Sequence, residues 1–287
     1  MKIILIALGS LLLLPLASLA EQTVFAHKTN HPPVVDGSQE DPIWAEAKEV
    51  ITRDPVAEID ITLKAVYTED EIFFLIKFPD SSENRSHKLL QWDKGMEIYI
   101  PGPDREDTMV IKWSMELIPI DLSISGDDPY KADIWYWKAY RTDHAGYADD
   151  KHQIYSDISL PKGQRLFSKN GNTFYLLRKG DQGQAAYKGS TPIGYQKDKL
   201  PGFILKNPSG SRADVHAKGQ WNNGFWSVEF SRKLVTGHDD DIALDVTQKY
   251  RFGVSRYEIA GRKTDPDIEI PKFGSGEISE HLVLQFK

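Results

Sequence analysis

The chain has 287 residues, a formal net charge of -7 and no cysteine, and 40% of its residues are hydrophobic. This composition is typical of a folded protein with a sizeable core, and the acidic balance argues against nucleic acid as a partner. Because cysteine is absent, disulfides, thiolate metal sites and a covalently attached c-type haem are excluded.

The first 20 residues have the pattern of a secretory signal peptide. Lys2 precedes an apolar run over residues 3–19, and the small residues Ser18 and Ala20 suit cleavage after Ala20. The run is too short for a typical membrane span, with an uncleaved anchor as the alternative, and no later segment is apolar enough to be a span. We therefore expect export to a bacterial periplasm, or to the cell exterior, with no membrane span left after cleavage.

Short alternating segments predict strands along the rest of the chain. Residues 61–67 with 72–78, and 215–221 with 225–230, read as hairpins, and the turn Asn222, Asn223, Gly224 closes the second. Residues 41–48 predict one short helix, with Asp41 as its cap and Pro42 at its first position. Further strands are expected at residues 96–100, 108–115, 173–177, 250–257 and 281–286. The polar region 160–201 is expected to be a long surface excursion.

Many short strands with Gly and Pro between them favour an all-β fold, an antiparallel β-sandwich with long loops and at most short helices. We expect residues 21–287 to form one such domain. Its most unusual segment is residues 132–150, ADIWYWKAYRTDHAGYADD, which concentrates aromatic rings and cations. Connecting loops are normally small and polar, so these rings either fill a core or line a ligand pocket.

Two early motifs resemble known domains. Residues 33–45 contain P-x-V-D-G followed by D-x-x-W, and residues 63–75 read LKAVYTEDEIFFL. Both resemble the opening of family-9-type carbohydrate-binding modules and of the related haem-binding domain in the small (gamma) subunit of ethylbenzene and dimethylsulfide dehydrogenases. Five later motifs favour the haem-binding type: Glu106 and Asp107 with 111–113, ADIWYWKA at 132–139, GYADD at 146–150, GSRADVHAK at 210–218 and GHDDD at 237–241.

The resemblance implies an immunoglobulin-like or DOMON-like sandwich that holds one non-covalent haem b and passes single electrons. It also implies a non-catalytic electron-transfer protein with a redox partner protein. This is either a subunit beside molybdopterin and iron-sulfur subunits or a free-standing carrier. The characterised subunits use methionine and lysine as axial ligands, and related sandwiches use methionine and histidine. No catalytic motif of an enzyme is found in the sequence.

Three residues are candidates to bind iron. Met115 lies at the end of the predicted strand 108–115, although a methionine on an apolar strand face also serves as a core filler. His216 and Lys218 share one side of a predicted strand over residues 212–221, and that side faces outward if Val215 and Ala217 are core residues. In the dehydrogenase subunits the methionine precedes the segment matching 134–138, whereas this chain has SISGDD at 123–128.

Haem also needs flat apolar walls and cations for its carboxylates. Trp135, Trp137 and Tyr140 are the candidate walls. The alternative is that one of the two Trp residues lies in the core and the other packs on the surface. The candidate cations are Lys138, Arg141 and Arg212.

Two further interpretations stay open. The acidic pairs and runs at 149–150 and 239–241 are candidates for calcium, or are turn residues that cap nearby amides. In a carbohydrate-binding module without haem, the rings of Trp135, Tyr136 and Trp137 would stack on sugars.

Overall fold

The computed structural model describes residues 21–55, 57–256 and 278–287, and the expected signal peptide lies outside the described residues. One helix, α1 (Pro42–Glu46), and two 3₁₀ turns (Asp143–Ala145 and Gly210–Ala213) accompany the strands. The strands are β1 (Gln22–Lys28), β2 (Val50–Asp54), β3 (Ile59–Tyr67), β4 (Glu71–Pro79), β5 (Leu90–Asp93), β6 (Ile98–Pro101), β7 (Thr108–Ser114), β8 (Tyr130–Lys138), β9 (Asp149–Ser156), β10 (Gln164–Phe167), β11 (Thr173–Gly180), β12 (Tyr187–Gly189), β13 (Lys199–Leu200), β14 (Phe203–Leu205), β15 (His216–Asn222), β16 (Phe225–Lys233), β17 (Lys249–Ser255) and β18 (Leu282–Phe286).

The fold is the expected β-sandwich. A 13-stranded sheet runs in the order β10-β11-β9-β8-β7-β17-β18-β1-β3-β4-β16-β15, and β2 pairs with β3. Strands β7 and β8 face β4 and β16, because the rings of Phe74 and Trp113 lie 5.6 Å apart and those of Trp137 and Trp226 lie 4.9 Å apart. The sheet is not antiparallel throughout, since β1 pairs in parallel with both β18 and β3.

Both predicted hairpins are confirmed, as β3–β4 and β15–β16. The second closes through Asn223 and Gly224, whose φ values of 50° and 84° match a type I′ turn. The helix begins at Pro42 as expected, but Asp41 does not cap it. The Asp41 carboxylate instead accepts a hydrogen bond of 2.8 Å from the backbone N–H of Val34. The excursion 160–201 is more regular than expected, because it contains β10 to β13.

Strand β8 is buried on both faces, so its alternation decides what its residues contact. Trp135 and Trp137 lie in the apolar core between the facing strands, which we call the inner core. Ala132 and Ile134 lie in a second cluster on the other face, the outer core. Residues of odd and even number on β8 therefore contact different parts of the molecule.

Asp36, Gly37 and Trp44 of the early motif have a structural role. The carboxylate of Glu229 accepts hydrogen bonds from the backbone N–H groups of Asp36 (2.9 Å) and Gly37 (2.8 Å), and from the indole N–H of Trp44 (2.7 Å). Gly37 has φ of +88°, and a Cβ there would lie 2.8 Å from the backbone nitrogen of Gln220. The motif thus fixes the N-terminal segment against β15 and β16, and no ligand is needed to explain it.

Gly219 lets β15 approach the inner core. A Cβ at this position would lie 2.4 Å from the ring of Trp137, which is fully buried. We expect Gly219→Ala to lower the free energy of unfolding by about 1–3 kcal/mol, because overpacking forces rings out of their rotamers. Urea denaturation measures this, with Gly189→Ala as the control, since a Cβ at Gly189 meets nothing within 4 Å. Equal stability of the two variants would contradict the tight contact.

Candidate functional site

The structure separates the predicted pocket residues. Trp135 and Trp137 are 0% exposed and pack in the inner core, where Trp135 contacts Phe74 and Trp113. Lys138 follows on the opposite face of β8, with its Nζ 4.3 Å from the ring centre of Tyr136. The two Trp rings and the cation of Lys138 therefore do not line one pocket, and the expectation that both Trp residues form its wall is corrected.

The predicted cations Lys138 and Arg212 meet on the carboxylate of Asp149. Lys138 and Arg212 both form ion pairs with it, and Lys151 Nζ lies 3.2 Å from its Oδ2. The hydroxyl of Tyr187 donates to the same Oδ2 at 2.9 Å. Asp149 thus belongs to a buried network of cations, and these ion pairs account for an acidic residue at this position without calcium.

The third predicted cation, Arg141, pairs with the buried carboxylate of Glu106. The Oε2 atom of Glu106 also accepts hydrogen bonds from the backbone N–H groups of Tyr140 (2.8 Å) and Arg141 (2.9 Å). His87 lies beside them, and burial and the charge of Arg141 lower its pKa to about 2. The hydroxyl of Tyr140 is 3.5 Å from the carbonyl oxygen of Phe203.

We call these groups the basic cluster: the cations Lys138, Arg141, Lys151 and Arg212, with the carboxylates of Glu106 and Asp149. When all six groups are ionised, the four cations exceed the two carboxylates by two positive charges. Burial and the neighbouring cations Lys151 and Arg141 hold the pKa of Lys138 well below its ordinary value. Burial and the charge of Arg141 likewise lower the pKa of Lys151 to about 8. Such a mutually repelling set is relieved by an anion, so the cluster can hold carboxylate or phosphate groups.

Aromatic rings enclose the basic cluster from the side of the excursion. The ring of Tyr187 lies 4.7 Å from Lys138 Nζ and 4.9 Å from the guanidinium carbon of Arg141, which is also 5.0 Å from the ring of Phe203. Sequence reasoning missed Tyr187, Phe203 and Lys151. The alternation of β9, with Asp149 and Lys151 two residues apart, was the available signal for Lys151.

His216 and Lys218 lie side by side on β15 and point away from the inner core, as expected, while Ala217 between them is fully buried. Lys218 Nζ donates to the backbone oxygen of Asp143 at 2.8 Å and lies 3.1 Å from its Oδ2. The ring of His216 is exposed and lies 4.4 Å from that of Tyr147. Both candidates thus flank the segment that follows β8.

Met115 lies at the other end of the sandwich. The backbone N–H of Met115 donates to the carbonyl oxygen of Lys131 near the start of β8. In contrast, Gly219, the neighbour of Lys218, lies against Trp137 near the end of β8. The two positions are about 20 Å apart along the strand, at roughly 3.3 Å per residue. Met115 packs against the inner core. In this structure Met115 and Lys218 cannot bind one iron together.

The fit to haem b is therefore partial. The basic cluster suits the carboxylates of haem, since it has surplus positive charge and buried charge-assisted donors. The predicted axial pair Met115 and Lys218, and the predicted walls Trp135 and Trp137, do not fit one haem pocket. A groove of about 370 Å³ lies elsewhere, beside Trp44 and Phe225, and none of the predicted site residues lines it.

The predicted calcium candidates separate as well. Asp150 lies opposite Trp135 in the β8–β9 register, on the inner face, whereas Asp149 lies in the basic cluster. Ligand oxygens of Asp133, Asp150 and Asp241 lie within 4.8 Å of one another, and all three residues are buried. Sequence reasoning missed Asp133, although an acid at the same alternation as Trp135 and Trp137 was a visible signal.

Comparison with solved structures finds similar chains at low identity. A family 9 carbohydrate-binding module from Caldicellulosiruptor kristjanssonii, in complex with cellotriose, is 12% identical with a TM-score of 0.40, over 93% of this chain and 95% of that chain. A putative carbohydrate-binding protein from Bacteroides uniformis is 9% identical with a TM-score of 0.40, over 93% of this chain and 100% of that chain. No curated protein matches the sequence.

The fold and the basic cluster define a β-sandwich with a buried, positively charged site at one end of β8. The sequence matches the ethylbenzene dehydrogenase family over residues 38–265, which is most of the chain. The protein therefore belongs to the ethylbenzene dehydrogenase family.

Proposed function

We propose that this protein is an exported, non-catalytic subunit that binds haem b without a covalent link and passes single electrons to a redox partner. Family membership supports the assignment to a multi-subunit oxidoreductase, with molybdopterin and iron-sulfur subunits as the proposed partners. We also propose that residues 21–287 form a single domain in the periplasm. Among the described residues, no helix is long and apolar enough to cross a membrane.

The observation that carries the proposal is the surplus positive charge of the basic cluster. Haem b, when bound, supplies a one-electron centre and two carboxylates. Arg212 and Lys151 are placed to hold a carboxylate, because the single charge of Asp149 balances only one of the three cations beside it. The rings of Tyr187 and Phe203 lie over Lys138 and Arg141 and shield that part of the cluster from water, which strengthens its charge-assisted hydrogen bonds.

Lys218 and His216, which flank the segment after β8, are the proposed iron ligands. Lys218 Nζ pairs with Asp143, so its amine must leave that carboxylate before it can bind a metal. The exposed imidazole of His216 needs no such exchange.

The test is expression with haem supplied, followed by hemin titration of the purified protein in the absorption spectrum. We expect a Soret band at one haem per chain. Arg212→Gln and Lys151→Gln should each weaken hemin binding about tenfold, the effect of losing one charge-assisted hydrogen bond. Arg165→Gln, at an exposed arginine on β10, is the matched control and should bind as the unmodified protein does.

Ligation is read from the same spectra. His216→Ala or Lys218→Met should shift the low-spin bands, whereas Met115→Leu should leave them unchanged because Met115 lies at the far end of β8. A protein that stays colourless after reconstitution, or a spectrum that depends on Met115 alone, would contradict the proposal.

Sugar binding is the second candidate, and it needs different rings from those expected. Trp135 and Trp137 are fully buried and offer no face to a sugar. Trp92, Tyr99 and Tyr195 form a ring group at the small sheet of β5, β6 and β13, with centroids 5.0 and 5.4 Å from Trp92, and Tyr195 is 58% exposed. Calorimetric titration with cello-oligosaccharides distinguishes the two functions. Binding that is lost in Trp92→Ala would support sugar binding, and the absence of any heat of binding would contradict it.

A further inference from the structure

A cluster of three aspartates is buried beside the inner core, on the face of β8 and β9 opposite the basic cluster. Asp133 and Asp150 are 0% exposed and Asp241 is 7% exposed. Asp133 comes from β8, Asp150 from β9, and Asp241 from the segment that follows β16. The haem proposal uses none of these three residues.

Within the part of the chain that the structure describes, only one cation is paired with the cluster. Arg232, fully buried on β16, donates from its Nη1 to Asp133 Oδ2 at 2.6 Å, and the backbone N–H of Ile242 donates to the same oxygen at 3.0 Å. Three carboxylates and one guanidinium have a net charge of -2 when all are ionised. That is the charge that one divalent cation neutralises.

The buried carboxylate of Asp150 is the feature that points to a cation site. Both of its carboxylate oxygens are buried, and neither has a hydrogen-bond partner. A buried polar group without a partner costs about 1–3 kcal/mol, and more when it is charged. Burial and the charges of Asp133 and Asp241 raise the pKa of Asp150 well above its ordinary value, so its ionised carboxylate is unfavourable without a further cation beside it.

We infer that Asp133, Asp150 and Asp241 form a binding site for one divalent cation, which we assign as calcium. The donors are all carboxylate oxygens, which hard cations prefer, and ligands within 4.8 Å of one another are compatible with calcium–oxygen distances of roughly 2.3–2.6 Å. Asp241, the most exposed of the three, gives the ion and its remaining water ligands a route from solvent. The bound ion joins the segment after β16 to β8 and β9, and so clamps the two facing layers at one edge.

The test is titration of the chelator-treated, haem-free protein with calcium chloride, by calorimetry and by thermal unfolding. We expect one saturable site and a rise in Tm. Asp150→Asn should weaken calcium binding at least tenfold and remove the rise in Tm. Asp239→Asn is the matched control, since Asp239 is an exposed acid two residues before Asp241 and should leave both unchanged. Asp241→Asn, at the more exposed position, repeats the test if Asp150→Asn does not fold.

Terbium gives an independent readout, because the ring of Trp135 lies beside Asp150 in the strand register. Tryptophan-sensitised terbium luminescence should appear in the unmodified protein, be displaced by calcium more readily than by magnesium, and be lost in Asp150→Asn. No saturable calcium binding, or equal binding in Asp150→Asn, would overturn the inference. A colourless protein that binds calcium would overturn only the haem proposal.

One further outcome would overturn the inference, namely that protons rather than calcium neutralise the three aspartates. If protons neutralise the cluster instead, calcium should leave Tm unchanged, and Asp150→Asn should stabilise the protein at neutral pH, because an amide of the same size removes the free-energy cost of protonating the carboxyl on folding.

Discussion

Replacing Arg232 with methionine is expected to lower the free energy of unfolding by about 3–5 kcal/mol in calcium-free buffer, measured by urea denaturation. Arg232 and Asp133 are both fully buried, and their ion pair joins β16 to β8 across the sandwich. The guanidinium also stacks on Trp135, with 4.8 Å between its carbon and the ring centre. Methionine keeps most of the volume but leaves Asp133 without its cation, beside two further aspartates.

The control is Arg53→Met, which breaks the exposed pair of Arg53 and Asp60 and should cost less than about 1 kcal/mol. Adding Asp133→Asn to Arg232→Met should restore part of the lost stability, because the uncompensated charge is removed. A cost of less than about 1 kcal/mol for Arg232→Met would show that the pair is not as buried as described.

Replacing Glu229 with alanine is expected to cost about 3 kcal/mol or more. Three donors lose their acceptor together, namely the backbone N–H groups of Asp36 and Gly37 and the indole of Trp44, and each unsatisfied buried donor costs about 1–3 kcal/mol. The effect is measured by urea denaturation. Glu69→Ala, which removes an exposed partner of Lys28, is the control and should leave the free energy of unfolding almost unchanged. Similar losses in the two variants would contradict the structural role assigned to the early motif.

Glu229 also makes stability depend on pH. Burial raises its pKa from 4.5 to about 7 in the folded protein. Between these pH values the folded state holds a proton that the unfolded state has released, so the free energy of unfolding falls as the pH rises, by up to about 3 kcal/mol. Glu229→Gln should remove this part of the slope. An equal slope in the variant would assign the pH dependence to other groups.

Strand alternation and turn chemistry made much of the fold predictable. The hairpins β3–β4 and β15–β16 follow from period-two patterns and from the Asn223-Gly224 turn, because local preferences are enough to specify such pairings. The family followed from the order of several modest motifs, and the match over residues 38–265 confirms it. The outward direction of Lys218 and His216 also followed from alternation alone.

The site was harder to predict, because long-range packing decides which face of a strand meets which partner. Strand β8 is buried on both faces, so an alternation of Trp135 and Trp137 with Tyr136 and Lys138 cannot tell a core from a pocket. Likewise, the adjacent residues Asp149 and Asp150 belong to a cationic and an anionic cluster on opposite sides of β9.

The amino-acid sequence alone was enough for the β-sandwich, its hairpins and its family, since these depend on local periodicity and on motif order. Only the folded chain shows that Asp133 and Asp241 lie beside Asp150, that Arg212 lies beside Asp149, and that Met115 lies far from Lys218. Those distances arise from the register of strands that are far apart in sequence, and residue type does not encode register locally.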